Sequence, residues 1–256
     1  MNYAGDQTGR SKQKRASVLT YHAIESDDLP STYTLSRAQL EEHLRLLDEL
    51  GKNRLLPSGG GLFTFDDGYS SDYKHAAPLL EKHGRRGVFF LVASLVGSSA
   101  RYMNWSEAKE LANRGHEIQS HSWSHPLLTQ CSDEELGKEL AQSKRELEDR
   151  LGTEVDAVSA PGGRWNDRVI HSAHSAGYRR FFVSDPFIGC QERSGMQLWG
   201  RITVKRTMTT NEISGLLRGT GLYPMIFQGL FKSRELLRQL TGDRIYTHLW
   251  KAIVNR

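Results

Sequence analysis

Gly61-Leu62-Phe63-Thr64-Phe65-Asp66-Asp67-Gly68 is an apolar run ended by two carboxylates and a glycine. Its length and aromatic content are those of a buried strand, so the Asp-Asp-Gly falls where the strand stops. Neighbouring aspartates repel and are not both comfortably buried as anions unless a cation lies beside them. The bland account of the same residues is a strand followed by an Asp-Gly turn.

Working outward, six further runs read as buried strands, at 17–22, 87–92, 117–120, 156–159, 179–183 and 201–204. Helical spacing fills the intervals at 36–50, 70–83, 105–114, 132–151, 166–176 and 210–217. The clearest is 132–151, where Ser132 can cap with Glu135, Leu136, Leu140 and Leu147 share a face, and Gly152 follows the end. This alternation predicts an α/β fold, a (β/α) barrel of about seven parallel strands. In such a barrel the chemistry sits on loops at the C-terminal strand ends, which Asp66 and Asp67 satisfy.

The 256 residues suit one large domain, and 38% hydrophobic with 25% charged residues excludes a disordered or fibrous class. Cys131 and Cys190 form no disulfide framework. The first sixteen residues are polar and basic, and nowhere do about 18 apolar residues run together, so the expected location is cytoplasmic. From Leu216 onward, seven basic residues face two acidic ones, a net of +5 within a total of +4. Basicity thus belongs to one local surface, which argues against a nucleic-acid partner.

His121-Ser122-Trp123-Ser124-His125 follows the fourth strand run, and Pro126 stops a helix from continuing. Two histidines four apart can converge on one ion if the backbone makes a single turn, although surface histidines at this spacing are common. Two imidazoles and one carboxylate make a hydrolytic metal site or a non-haem iron site. A second carboxylate one residue away favours hydrolysis, because a base then stands beside the activated water. Ser159-Ala160-Pro161-Gly162-Gly163-Arg164 ends the fifth run at the same face. Pro161 and Gly162 read as a turn that lines a substrate site, and Arg164 as a partner for Asp66 or for substrate.

Over residues 16–217 the chain resembles the polysaccharide deacetylases, the NodB-homology group of carbohydrate esterase family four, through Thr-Phe-Asp-Asp-Gly and His-Ser-x-x-His in that order. The resemblance implies a distorted (β/α) barrel, removal of acetyl groups from N-acetylated sugars, and a single zinc or similar divalent ion. It implies Asp67, His121 and His125 as metal ligands and Asp66 as the base. The match departs from the family twice. Ser159 stands where the third motif begins with an arginine that steers the base, and no Leu-x-His follows the last strand run. Val183-Ser184-Asp185 answers loosely to the fourth motif, with Asp185 a turn residue.

In the mechanism these residues suggest, an ion polarises the acetyl carbonyl and lowers the pKa of its water towards about 7, from about 15.7 in bulk. The Tyr69 N–H is the expected oxyanion donor, and the rings of Tyr69 and Trp123 are candidate sugar platforms. His22, in Leu19-Thr20-Tyr21-His22, is the candidate general acid, because first and last strands are neighbours in a barrel. An iron oxygenase, a non-catalytic glycan-binding barrel, and a deformylase or deacetylase of lipid-linked sugars remain as alternatives.

The expected organisation is a flexible basic segment at 1–15, a catalytic domain at 16–217 and an amphipathic helical extension at 218–256. In the extension Met225, Ile226, Phe227, Leu230, Phe231, Leu237 and Leu240 share a helical face, Gly242-Asp243 breaks it, and Ile245, Leu249, Trp250 and Ile253 resume. Such a face either packs on the barrel or makes peripheral contact with a membrane. The expected partner is the acetylated glycan; no protein partner is predicted.

Overall fold

The computed structural model describes residues 18–25, 31–52 and 62–254. Segment 1–15 and residues 53–61 lie outside these residues, as do the side chains of Ile245, Leu249, Trp250 and Ile253. Along the chain run β1 (Val18–Tyr21), β2 (Ala23–Ile24), β3 (Thr34–Leu35), α1 (Arg37–Lys52), β4 (Leu62–Phe65), a π-helical turn (Asp72–Ala76), α2 (Ala77–Lys82) and β5 (Gly87–Leu91). Next come α3 (Trp105–Asn113), β6 (Glu117–Ser120), α4 (Asp133–Leu151), β7 (Ala157–Ser159), α5 (Asp167–Ser175) and β8 (Arg180–Val183). The chain closes with β9 (Cys190–Arg193), β10 (Met196–Gly200), β11 (Ile202–Thr203), α6 (Thr210–Arg218) and α7 (Leu222–Val254).

One sheet orders its strands β11-β1-β4-β5-β6-β7-β8-β10-β9. Every neighbouring pair is parallel except β10 with β9. Each of the seven runs read from the sequence contributes a strand; the β9–β10 hairpin is additional. β10 pairs with β8 near one end of the order and β11 pairs with β1 at the other, yet only Arg201 separates them. The two ends of the ladder are therefore brought together by the chain itself, and the sheet curls into a barrel that is joined covalently rather than by a closed ladder.

Side-chain alternation separates two apolar layers. Leu19, Tyr21, Phe63, Phe65, Phe89, Leu91, Phe181 and Val183 pack outward under the helices in the main core. Val18, Val88, Phe90, Ala157 and Phe182 form a smaller cluster inside the barrel. The same period of two carries Thr20, Thr64 and then Asp66 onto the inner face, with His22 two residues past Thr20.

Helix termini follow the capping chemistry. Ser132 and Glu135 form a capping box and Gly152 closes α4 in the left-handed region at φ 70°. Asn104 with Glu107 and Thr209 with Glu212 do the same for the starts of α3 and α6. The 70–83 region is not one α-helix: it opens with the π-helical turn before α2 begins. Gly242, at φ 78°, kinks α7 where the sequence placed a break.

Candidate metal centre and catalytic site

Parallel strands deliver His22, Asp66, Asp67, His121 and the Pro161 turn to one end of the barrel. Asp66 follows β4 directly and is buried, its N–H donating to the Tyr21 carbonyl at 2.9 Å. Asp67 takes φ 73°, which turns its carboxylate away from the strand line, and Gly68 follows at φ 74°. A Cβ on Gly68 would stand 3.0 Å from Leu91 Cγ, so close packing and backbone both demand glycine there.

The histidine pair is set by the loop after β6. His121 donates its N–H to the Leu91 carbonyl at 2.8 Å, Ser122 adopts φ 65° and His125 φ 66°. Such left-handed non-glycine residues cost roughly 1 kcal/mol or more each and persist only where surroundings enforce them. The enforcement comes from Glu139 on α4, whose Oε2 accepts the N–H groups of Trp123 at 2.9 Å and Ser124 at 2.8 Å while Oε1 accepts the Ser124 hydroxyl at 2.5 Å. The His125 N–H donates to Ser122 Oγ at 3.0 Å.

The result is convergence. Asp67 Oδ1 lies 3.5 Å from His121 Nε2 and 3.4 Å from His125 Nε2, and the two imidazole rings are 4.8 Å apart. One donor atom from each of these three residues lies within 4.8 Å of the others. His121 Nδ1 is 2.9 Å from the Ser159 carbonyl, so it carries the proton and leaves the Nε2 lone pair facing Asp67. A carboxylate and two neutral imidazoles, one already fixed through its second nitrogen, fit a divalent ion of the zinc kind. Burial works to raise Asp67, but His121, His22 and His125, when their rings are protonated, outweigh it and hold the carboxyl well below its usual range.

Asp66 is held differently. Arg201 Nη1 and Nη2 donate to Oδ1 and Oδ2 at 2.8 Å each, and the Ser159 hydroxyl donates to Oδ2 at 3.2 Å. Arg201 Nη2 also donates to Ser159 Oγ at 2.7 Å and Nη1 to Thr64 Oγ1 at 3.2 Å. The guanidinium is fully buried, with Phe90 5.5 Å and Phe182 5.9 Å from it. Burial raises the Asp66 pKa, and Arg201 and His121 more than reverse this, so the carboxyl sits below its ordinary value. The cation on Asp66 is thus Arg201, from the β10–β11 junction, rather than Arg164. Sequence reasoning passed over it, although an arginine inside Leu198-Trp199-Gly200-Arg201-Ile202 requires a buried anion.

His22 directly follows β1, which lies beside β11 with Leu19 opposite Ile202 and Thr20 opposite Thr203. Its ring lies 5.0 Å from that of Tyr33, and its buried Nδ1 has no hydrogen-bond partner among the described residues. Burial lowers its pKa while Asp67 and Asp66 raise it. Tyr69 is half-buried, stacked 5.5 Å from Tyr102. The bonds Met103 N–H to Gly68 O and Ser70 N–H to Arg101 O bracket the Tyr69–Tyr102 bridge, so the Tyr69 N–H points away from that pairing. Trp123 is partly buried against the core. Pro161 is buried, Gly162 exposed at φ 64°, and Arg164 half-buried. Asp185 Oδ1 accepts the Phe187 N–H at 2.9 Å, the local bond of a turn residue.

An ion-binding trio with a pinned second carboxylate alongside is the constellation of a metal-assisted hydrolase. The profile of a family described as "Polysaccharide deacetylase" matches residues 60–181, which span both motifs. YxkH of Bacillus subtilis (strain 168) is 26% identical over 212 residues, covering 77% of this chain and 74% of YxkH. The peptidoglycan-N-acetylglucosamine deacetylase PgdA of Listeria monocytogenes (strain 10403S) is 31% identical over 107 residues, 41% of this chain but 22% of PgdA. Among solved structures, the deacetylase PplD of Streptococcus pyogenes, in complex with acetate, superposes with a TM-score of 0.66 at 21% identity, over 79% of this chain and 98% of PplD, a likeness of fold. Over residues 60–181, where the two aspartates and the two histidines lie, the chain is thus similar to the polysaccharide deacetylases, a family of hydrolases.

Proposed function

We propose that the protein removes acetyl groups from N-acetylated sugars of a bacterial-type polysaccharide or glycan precursor. The observation that carries this reading is the asymmetry of two adjacent aspartates: Asp67 turns toward His121 and His125, while Asp66 is pinned by Arg201 and Ser159. One carboxylate serves as ligand and its neighbour stays available as base.

Asp67, His121 and His125 would hold one divalent ion, most simply zinc. When bound, such an ion polarises a carbonyl and lowers the pKa of water towards about 7. Asp66 takes a proton from the attacking water, and its fixed geometry avoids reorganisation during that step. The Tyr69 N–H meets the oxyanion as the acetyl carbon becomes tetrahedral. His22 gives the proton that the departing amine needs. Pro161, Gly162 and Arg164 line the substrate side, and Trp123 and the Tyr69 ring offer faces for sugar stacking. Residues 16–217 form the catalytic unit and 218–256 an extension in peripheral contact with the cytoplasmic membrane face; no helix among the described residues is long and apolar enough to cross a membrane.

The test is acetate release from a panel of N-acetylated oligosaccharides, polymers and lipid-linked sugars, before and after chelation and on return of zinc, manganese or cobalt. Release that is lost on chelation and restored by metal is expected. Formate release in place of acetate, or no release from any acetylated sugar, would sink the reading.

A further inference from the structure

We propose that the outer face of α7 is a docking surface for an anionic lipid bilayer. The helix is apolar on two sides, and the protein covers only one. Phe227 and Phe231 turn inward, their rings 6.0 and 5.9 Å from Phe187 in the segment after β8, with Tyr223 5.8 Å from Phe227. Leu222, Met225, Ile226, Leu230, Leu236, Leu237 and Leu240 are between 49% and 76% exposed. At 3.6 residues per turn these seven fall in one arc of about 140°, which borders the aromatic sector and turns away from the contact with Phe187. Ser233 lies inside that arc, and its hydroxyl donates to its own helix at the Gly229 carbonyl, 2.9 Å away, so it does not interrupt the apolar stripe. The single face drawn from the sequence is therefore two.

Charge selects the occupant. A second copy on this stripe would bring together two chain ends carrying seven basic residues to two acidic ones, with mutual repulsion. Anionic headgroups over an acyl boundary complement both the charge and the apolar arc, and exposed Lys232 stands at the edge of the arc to reach them.

Placement gives the surface its use. α7 lies near the turn Leu128–Gln130, which follows the His125 loop, and against Phe187. Arg234 lies close enough to Tyr33 and Lys205 to act on both: burial raises Tyr33 and Arg234 tempers the rise, while burial lowers Lys205 and Arg234 adds to it. Tyr33 in turn stacks on His22. α7 thus runs along the site-bearing end of the barrel, and docking through its outer face would set the site mouth beside surface-anchored glycan. That use rests on the deacetylase reading; the docking itself does not.

Full-length protein is floated with vesicles of phosphatidylcholine alone, or of phosphatidylcholine with phosphatidylglycerol, at low and high salt. Flotation with the anionic vesicles at low salt is expected, and the triple variant Ile226→Glu, Leu230→Glu, Leu237→Glu should bind at least about tenfold less. The three positions are solvent-exposed, so the variant should melt like wild type and release acetate equally from a soluble N-acetylated oligosaccharide. Failure of wild type to float, or equal flotation of the variant, overturns the proposal. So does light scattering that finds wild type dimeric and the variant monomeric, which would assign the stripe to a second copy. Flotation of wild type alone without acetate release supports docking and counts only against the deacetylase reading.

Discussion

Arg201 lays its guanidinium across both oxygens of Asp66, Nη1 to Oδ1 and Nη2 to Oδ2, each at 2.8 Å, although 135 positions separate the two residues. Removing one member of a buried pair leaves an uncompensated charge and costs about 3–5 kcal/mol. Arg201→Gln should therefore lower the melting temperature as well as the rate. Arg201→Lys keeps the charge but loses the two-pronged geometry, and should bind metal while turning over on the order of 10²-fold more slowly. Wild-type acetate release by Arg201→Lys, at wild-type metal content, would show that the fork has no part in holding the base.

The two aspartates are expected to separate under mutation. Asp67→Ala, His121→Ala and His125→Ala should lose bound metal and activity together, because each removes a donor from the trio. Asp66→Asn should keep the metal and lose turnover. Elemental analysis of the purified variants decides it: metal retained in Asp67→Asn and lost in Asp66→Asn would reverse the assignment.

Glu139 predicts an effect at a distance from the ion. Its carboxylate accepts three bonds from Trp123 and Ser124, holding a loop with two left-handed residues. Glu139→Ala should weaken metal binding by about 10- to 100-fold, the usual worth of a group that orients ligands, with Glu139→Gln between it and wild type. Competition with a fluorescent zinc chelator measures this, and an unchanged affinity in Glu139→Ala would mean that the strand ends alone fix the histidines.

What was legible in the sequence was local. β4 is a contiguous apolar run that ends at Asp66 and Asp67, β6 is a short strand that ends at His121, and Ser132, Glu135 and Gly152 spell out α4 within one stretch. Arg201 was not legible because its meaning lies in Asp66 and Ser159, far along the chain, and because it sits at a seam where one strand exchanges partners. The β9–β10 hairpin was missed for another reason. Cys190-Gln191-Glu192-Arg193 is a largely exposed edge strand without an apolar rhythm. Its signal was the two-residue turn Ser194-Gly195, both at positive φ, followed by the alternation of Met196 and Leu198. The division of α7 into two faces needed tertiary contacts, since aromatic and aliphatic positions are equally apolar in a helical period.

His43 sets an acid limit on stability. It is buried, with Nδ1 3.1 Å from the Tyr21 hydroxyl, and burial pushes its pKa down to about 4. The unfolded chain takes up this proton near pH 6.5, before the folded one does, so the contribution is whole above about 6.5 and is lost as pH falls to about 4. The loss is of the order of 3 kcal/mol, from roughly 1.4 kcal/mol per pKa unit. His43→Gln should flatten the dependence of melting temperature on pH in that window, and an unchanged slope would place the acid sensitivity elsewhere.

His22 is expected to act as the general acid, in the place of the histidine absent after the last strand. Alternation along β1 carries Val18 and Thr20 to the inner face, and the next step on that face is His22, level with Asp66 two residues beyond Thr64. Its Nδ1 is buried without a hydrogen-bond partner among the described residues, which a packing histidine would ordinarily have found. Burial outweighs the aspartates beside it and lowers its pKa, so a proton once taken up is readily given away. His22→Ala should fold, hold metal and lose on the order of 10²- to 10⁴-fold in release of acetate from an N-acetyl sugar. A leaving group that needs no proton separates this role from a structural one: an aryl acetate, whose phenolate departs unaided, should lose far less. Equal losses on amide and aryl ester would make His22 a packing residue, and near-wild-type rates on both would remove it from the reaction.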